Sequence, residues 1–164
     1  MLCFMLFYMR VHSSANTLWV ANRTFCNTFL YCSLEEIPMF RHIMLGANNI
    51  DESKTFYDAI LGALGYAPGI IDLNGRCFYM TESGIFALSV PIDGQPAGHG
   101  NGSTIGFDVT GPEQGDAWHA AGLANGGTGC EDAPGIRSGG DMGDMYLAYL
   151  RDPAGNKICA LCRM

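Results

Sequence analysis

Thr104-Ile105-Gly106-Phe107-Asp108-Val109 and, further on, Tyr146-Leu147-Ala148-Tyr149-Leu150-Arg151-Asp152-Pro153-Ala154-Gly155-Asn156-Lys157-Ile158 are the stretches that decide the fold. The first reads as a strand, and the second as two strands closed by a tight turn. Turn chemistry is explicit in Asp-Pro-x-Gly-Asn: Pro153 presets φ, Gly155 permits a positive φ, and Asp152 and Asn156 can bond their own backbone. Between the two stretches, Thr110-Gly111-Pro112-Glu113 predicts a capping box with Pro at the first helical position. The helix it opens runs through Trp118, Ala121 and Leu123 to Gly126-Gly127.

Moving toward the N-terminus, the same order recurs. Phe40 to Leu45 reads as a strand, Asp51 as an N-cap, and Phe56, Tyr57, Ile60, Leu61 and Leu64 as the apolar stripe of a helix stopped at Gly65. His42 and Thr104 are separated by the same interval as Gly65 and Gly127, which is what a duplicated supersecondary unit produces. Three strand-like runs follow each helix: about 67–73, 76–81 and 85–91 in the first half, and about 128–133, 145–151 and 156–162 in the second. The prediction is therefore α+β, with two βαβββ modules over 39–98 and 99–164. The link Asp93-Gly94-Gln95-Pro96-Ala97-Gly98-His99-Gly100-Asn101-Gly102 reads as a Gly-rich hinge. Its G-x-G-x-G lacks the strand before and helix after that a dinucleotide loop requires.

Several pieces taken in order make the chain resemble the vicinal oxygen chelate superfamily, the glyoxalase, bleomycin-resistance and extradiol-dioxygenase group. They are His-Ile-Met-Leu at 42–45, Ser53 with Phe56-Tyr57 and Leu61-Gly62, Gly100-Asn101-Gly102, Ala133-Pro134-Gly135-Ile136-Arg137, and Asp152-Pro153-x-Gly155-Asn156-Lys157-Ile158. The resemblance covers residues 39 to about 163. It implies mixed sheets curled around an open cup that receives a small molecule, and in metal-using members one ligand, usually His or Glu, from each of four strands. Aligned on the motifs, those positions fall on His42, Leu88, Thr104 and Cys159. Leu88 has no donor and a Thr hydroxyl is a weak one, so the set implies a degenerate metal site unless Glu82, Asp108 or the substrate reaches in. No cofactor is expected on this reading; the alternative, a metal-dependent glyoxalase-type lyase or a dioxygenase with ligands from elsewhere, would need Zn, Ni, Fe or Mn.

Without metal, His42 is read either as a contact or general base on the cup floor or as a strand histidine satisfied by a neighbour. Arg137 is the candidate to hold an anionic ligand through its guanidinium, against a surface ion pair. Tyr79, Trp118, Tyr146 and Tyr149 are candidates for pocket lining, with most of them expected in the core. His119 is expected to face solvent and His99 to sit in the hinge. The metal-free reading resembles antibiotic-sequestering members in which two chains build one cleft, which implies a homodimer.

Composition narrows the partners. A formal charge of −7 and a pI near 4.8, with no run of basic residues, argue against nucleic acid and an anionic membrane surface. Seven cysteines at irregular spacing are no disulfide framework, and a reducing cytoplasm explains them. Cys159-Ala160-Leu161-Cys162 has CxxC spacing, but in a strand residues i and i+3 point to opposite faces, which favours two ordinary thiols. All 22 glycines follow residue 45, and residues 1–38 contain neither Gly nor Asp. This leader has an apolar run from Leu2 to Met9 that stops at Arg10, too short to span a membrane. Its apolar core has no basic residue before it and no good small-residue site after it, which disfavours a secretory signal. The expectation is a poorly ordered extension, with Met39 as the natural start.

Overall fold

The computed structural model describes residues 9–12, 17–20 and 40–164. The chain divides into two units, Met1–Met39 and Phe40–Met164. In the first, β1 (Met9–His12) pairs antiparallel with β2 (Thr17–Val20), a pair that periodicity did not reveal. The rest of the expected extension lies outside the described residues.

The second unit holds both modules. The first runs β3 (His42–Gly46), α1 (Ile50–Ala63), β4 (Ile70–Ile71), β5 (Cys77–Met80) and β6 (Ile85–Ser89). Its sheet order is β3-β6-β5-β4, with β3 parallel to β6 and the other pairs antiparallel. The second runs β7 (Ile105–Asp108), α2 (Pro112–Ala124), β8 (Thr128–Gly129), β9 (Gly135–Ser138), β10 (Asp144–Arg151) and β11 (Lys157–Arg163), in the order β7-β11-β10-β8. Here β7 is parallel to β11, the counterpart of the β3–β6 pair. The strand expected over 128–133 is cut short to β8, which pairs with Leu150 and Arg151, and β9, which was not expected, follows beyond it and pairs with Asp144 to Leu147 of the same β10. Glu131 in a left-handed backbone (φ 61°) and Pro134, which cannot donate to a ladder, separate β8 from β9.

Helix caps differ from expectation. Asn49, not Asp51, caps α1: its side chain accepts from the N–H groups of Asp51 and Glu52 at 3.1 and 3.2 Å, and Asp51 is already in the first turn, where its charge favours the helix dipole. The capping box at α2 does not form. Gly111 is its N-cap, and Gln114 reaches back to accept from the Thr110 N–H at 2.9 Å. Both helices end in a Schellman turn: Tyr66 N–H bonds Leu61 O at 3.0 Å, and Gly127 N–H bonds Gly122 O at 2.9 Å. The left-handed residues are Gly65 and Gly126, so Gly126 rather than Gly127 is the counterpart of Gly65.

One core serves both modules. Leu45, Phe86, Leu88, Cys77 and Tyr79 from one sheet, and Ile105, Phe107, Tyr146, Ala148, Leu150, Ile158, Ala160 and Cys162 from the other, turn toward α1 and α2. A ladder of rings crosses it, with Tyr57 4.7 Å from Phe86, Phe86 5.5 Å from Phe107, and Phe107 6.3 Å from Trp118. Full burial of side chains of this size contributes about 1.5–3 kcal/mol each. The Asp-Pro-x-Gly-Asn turn is also part of this join. The buried Asp152 carboxylate accepts from Tyr57 OH of α1 at 2.9 Å, from the Asn156 amide at 2.8 Å, and from the Ala154 and Asn156 N–H groups. Asn156 in turn donates to Gly46 O of β3 at 3.0 Å. Burial beside Asp152 pushes the Tyr57 phenol well above its ordinary pKa, so it remains a donor.

Candidate functional site

Side chains alternate along each strand, so the positions between the core residues form a second, helix-free face on each sheet. In the first module it carries His42 and Met44 of β3, Ile85, Ala87 and Ser89 of β6, and Phe78 and Met80 of β5. In the second it carries Gly106 and Asp108 of β7, Cys159 and Leu161 of β11, and Leu147 and Tyr149 of β10. Thr104, one residue before β7, shares the parity of Gly106.

Register corrects one of the four metal positions. The β5–β6 turn joins Thr81 to Gly84 through two residues, whereas the β10–β11 turn joins Asp152 to Asn156 through three. Counting four residues past each glycine therefore overshoots by one in the first module. Cys159 corresponds to Ala87, not to Leu88. Leu88 pairs with Leu45 across β3 and is fully buried in the core, on the face opposite His42. Thr104 does correspond to His42, since His42 lies beside Ile85 and Thr104 would lie beside Lys157 as β7 runs along β11.

The four positions are thus an exposed His42, a methyl at Ala87, a hydroxyl at Thr104, and a thiol at Cys159 that is 5% exposed. Burial pushes that thiol up to about 11, against the pull of Lys157, so without a metal ion it is protonated at neutral pH and a weak nucleophile. This donor set does not fit a divalent ion. Among the described residues no three His, Cys, Asp or Glu side chains converge in a way that could hold one. Asp108 is exposed on the helix-free face, and Glu82 lines an open groove with Tyr66, Met80, Thr81 and Ser83.

Of the pocket-lining candidates, Tyr79, Trp118 and Tyr146 are core residues, between 0% and 3% exposed. Tyr79 OH donates to Asp58 at 2.9 Å and Tyr146 OH to Asp116 at 2.7 Å, so each module ties a strand to its helix through a Tyr–Asp bond. Trp118 Nε1 has no acceptor among the described residues. Tyr149 alone of the four lies on the helix-free face, half-buried. Arg137 is largely committed to its own backbone surroundings, donating to Gly135 O, Leu147 O and Ala133 O at 3.2, 2.9 and 3.0 Å. His119 is half-buried rather than solvent-facing, and burial holds its pKa below the ordinary value against a backbone hydrogen bond with Tyr149. His99 does not hang free in the link. Its ring lies where a side chain on Gly155 would sit, with Nδ1 2.9 Å from the position of such a Cβ.

Sequence reasoning missed what surrounds Tyr149. Lys157 Nζ lies 4.8 Å and Arg137 Cζ 5.8 Å from its ring centroid, and Lys157 is ion-paired with Glu131. Tyr149 and Lys157 sit on neighbouring strands with the same parity, which the hairpin reading already contained; Arg137 and Glu131 join them only because the broken β8–β9 edge folds over β10.

No protein-family model and no curated protein matches the sequence. A solved structure described as a glyoxalase/bleomycin resistance protein from Albidiferax ferrireducens T118 is 59% identical over 76% of this chain and 99% of its own, with a TM-score of 0.73. A glyoxalase/bleomycin resistance protein/dioxygenase family enzyme from Burkholderia phytofirmans PsJN is 18% identical over 74% of this chain and 95% of its own, with a TM-score of 0.58. A glyoxalase-related enzyme from Fulvimarina pelagi is 18% identical over 78% and 88%, with a TM-score of 0.51. At 18% identity these two show the fold alone.

Proposed function

Because the chain belongs to the glyoxalase/bleomycin resistance protein family, we propose that it binds a small molecule on the helix-free faces of its sheets and does so without the four-ligand metal site of metal-using members. The observation that carries this reading is the donor set at the four positions, where Ala87 offers nothing and Thr104 a weak hydroxyl, so that His42 and the buried Cys159 thiol would leave a divalent ion underbound. The exposed apolar side chains of the first module, among them Met44, Ile70 and Met80 at 41, 67 and 71%, support a second copy of the chain covering that face. Among the described residues no helix is long and apolar enough to cross a membrane, and Cys77, Cys130, Cys159 and Cys162 are free thiols, which supports a reducing, cytoplasmic setting.

Metal analysis of the purified full chain by mass spectrometry, alongside a hemithioacetal isomerisation assay, tests the proposal. Zinc, nickel, iron and manganese well below one equivalent, with no turnover, is the expected result. A full equivalent of any of them, or turnover abolished by a chelator, overturns it in favour of a metal-dependent lyase or dioxygenase. Sedimentation analysis should show a dimer.

A further inference from the structure

The unusual feature of the helix-free face of the second module is two cations over one ring. Lys157 and Arg137 both sit within 6 Å of the Tyr149 centroid, at 4.8 and 5.8 Å. Each faces a carboxylate from consecutive residues of the turn between β8 and β9: Glu131 pairs with Lys157, and Asp132 Oδ2 lies 4.0 Å from Arg137 Nε. Glu131 is, among the described residues, the one non-glycine with a positive φ, 61°, a backbone region that side chains with a Cβ adopt at a cost. An ion pair whose members are 22% and 45% exposed contributes little net stability in return. The turn is thus held down by a contact close to break-even.

The cations, by contrast, are fixed. Arg137 is anchored by three backbone carbonyls, with its Nε facing Asp132, and Lys157 opens β11 at the turn end of the β10–β11 ladder, where it pairs with Arg151. We propose that this is a binding site for a small carboxylate, and that Glu131 and Asp132 occupy it in the unliganded chain as internal stand-ins for the ligand. A carboxylate arriving from solution takes the Lys157 and Arg137 donors as charge-assisted hydrogen bonds, and the 131–132 turn is released from its left-handed backbone. The internal acids then act as a competitor that lowers apparent affinity in proportion to how often they hold the site. This assignment rests on the preceding reading of the helix-free face as the ligand face and names the chemistry of one end of the ligand.

The test uses the full chain with malonate as probe and dimethyl malonate as neutral control at matched ionic strength, with affinity read by calorimetry. Glu131→Gly, which removes both the competitor and the strain, is expected to bind malonate about fivefold more tightly than the parent. Glu131→Gln, which keeps the side-chain volume, should move the same way. Lys157→Met is expected to lose about tenfold or more. The assignment is overturned if neither Glu131 variant binds more tightly, or if Lys157→Met binds as the parent does. Tyr149 amide or ring shifts caused by a neutral aromatic ligand but not by malonate would sink the carboxylate assignment and leave the family-level reading standing. Silence toward both ligands would count against both.

Discussion

Helix α1 turns Phe56, Tyr57, Ile60 and Leu61 into the core, whereas α2 turns in Gly115, Trp118 and Gly122. A Cβ on Gly115 would lie 2.2 Å from Tyr146 Cε1, and one on Gly122 2.3 Å from Leu150 Cδ1 and 3.2 Å from both Ile60 and Phe56. The second helix is thin so that strand side chains, and the bulky face of the first helix, can fill the space beside it. Two copies of one unit have therefore become complementary, one supplying volume and the other room. The β-turns diverge in the same way. The three-residue Asp152–Asn156 turn reaches across to Tyr57 and Gly46, while the two-residue turn at 82–83 bonds within itself through Thr81.

The largest effects should come from testing which face each β6 residue occupies. Leu88→Glu puts a carboxylate among Leu45, Cys77 and the α1 side chains and should cost about 4 kcal/mol or more, leaving little folded protein by circular dichroism. Ala87→Glu, one residue away, lies on the helix-free face; Ala87 is buried there too, but outside the core cluster, so the change should cost less than Leu88→Glu and leave folded protein. Combined with Thr104→His and Cys159→Glu, it presents three new donors beside His42 and should acquire zinc or nickel, read by mass spectrometry. A folded Leu88→Glu chain that binds metal would restore the register counted from the glycines.

The clasp between modules comes next. Asp152→Ala strands Tyr57 OH and the Asn156 amide in the core and should cost about 3 kcal/mol in urea unfolding, with Tyr57→Phe costing about half of that. A change below about 0.5 kcal/mol in both would show that the turn merely closes a hairpin.

Paired glycine substitutions probe the thick and thin helices. Gly122→Ala should destabilise by about 2 kcal/mol through overpacking against Leu150. Gly62→Ala in α1, where a Cβ meets nothing within 4 Å, should stabilise by about 0.5–1 kcal/mol. Equal signs for the two would remove the distinction between the helices.

The smallest effect is pH-dependent. Burial acts to raise the Asp58 pKa, but hydrogen bonds from Lys54, the Gly69 N–H and Tyr79 together with the Lys54 charge outweigh it and hold the carboxyl below its ordinary 3.8. A depressed folded-state pKa contributes stability above the ordinary value and loses it as pH falls through the lower one. Asp58→Asn should therefore flatten the acid limb of the stability curve below about pH 4, with little change in its shape near neutrality.

Much of this was legible before folding. Glycine stops, apolar stripes and turn residues are local signals, which is why the two modules, their helices and the Asp-Pro-x-Gly-Asn hairpin were read at nearly their true positions. The family resemblance rested on the same signals. Candidate sites fared differently. Arg137 was singled out because a guanidinium suits an anion, but spacing alone carried no sign that three carbonyls of its own module would anchor it or that Asp132 would face its Nε. Most of Tyr79, Trp118, Tyr146 and Tyr149 were expected in the core, but which of them face it is decided by strand parity and by where the helices pack.

What the sequence determined by itself was the order of elements and their duplication. Only the tertiary structure decided which face each strand residue presents, because a turn one residue longer in the second module shifts the register and a shift of one reverses every side chain. It also decided that Glu131 and Arg137, distant in the reading of strands, meet Lys157 over Tyr149. That meeting depends on a broken edge strand folding over β10, a long-range event for which neither propensity nor spacing carries a signal.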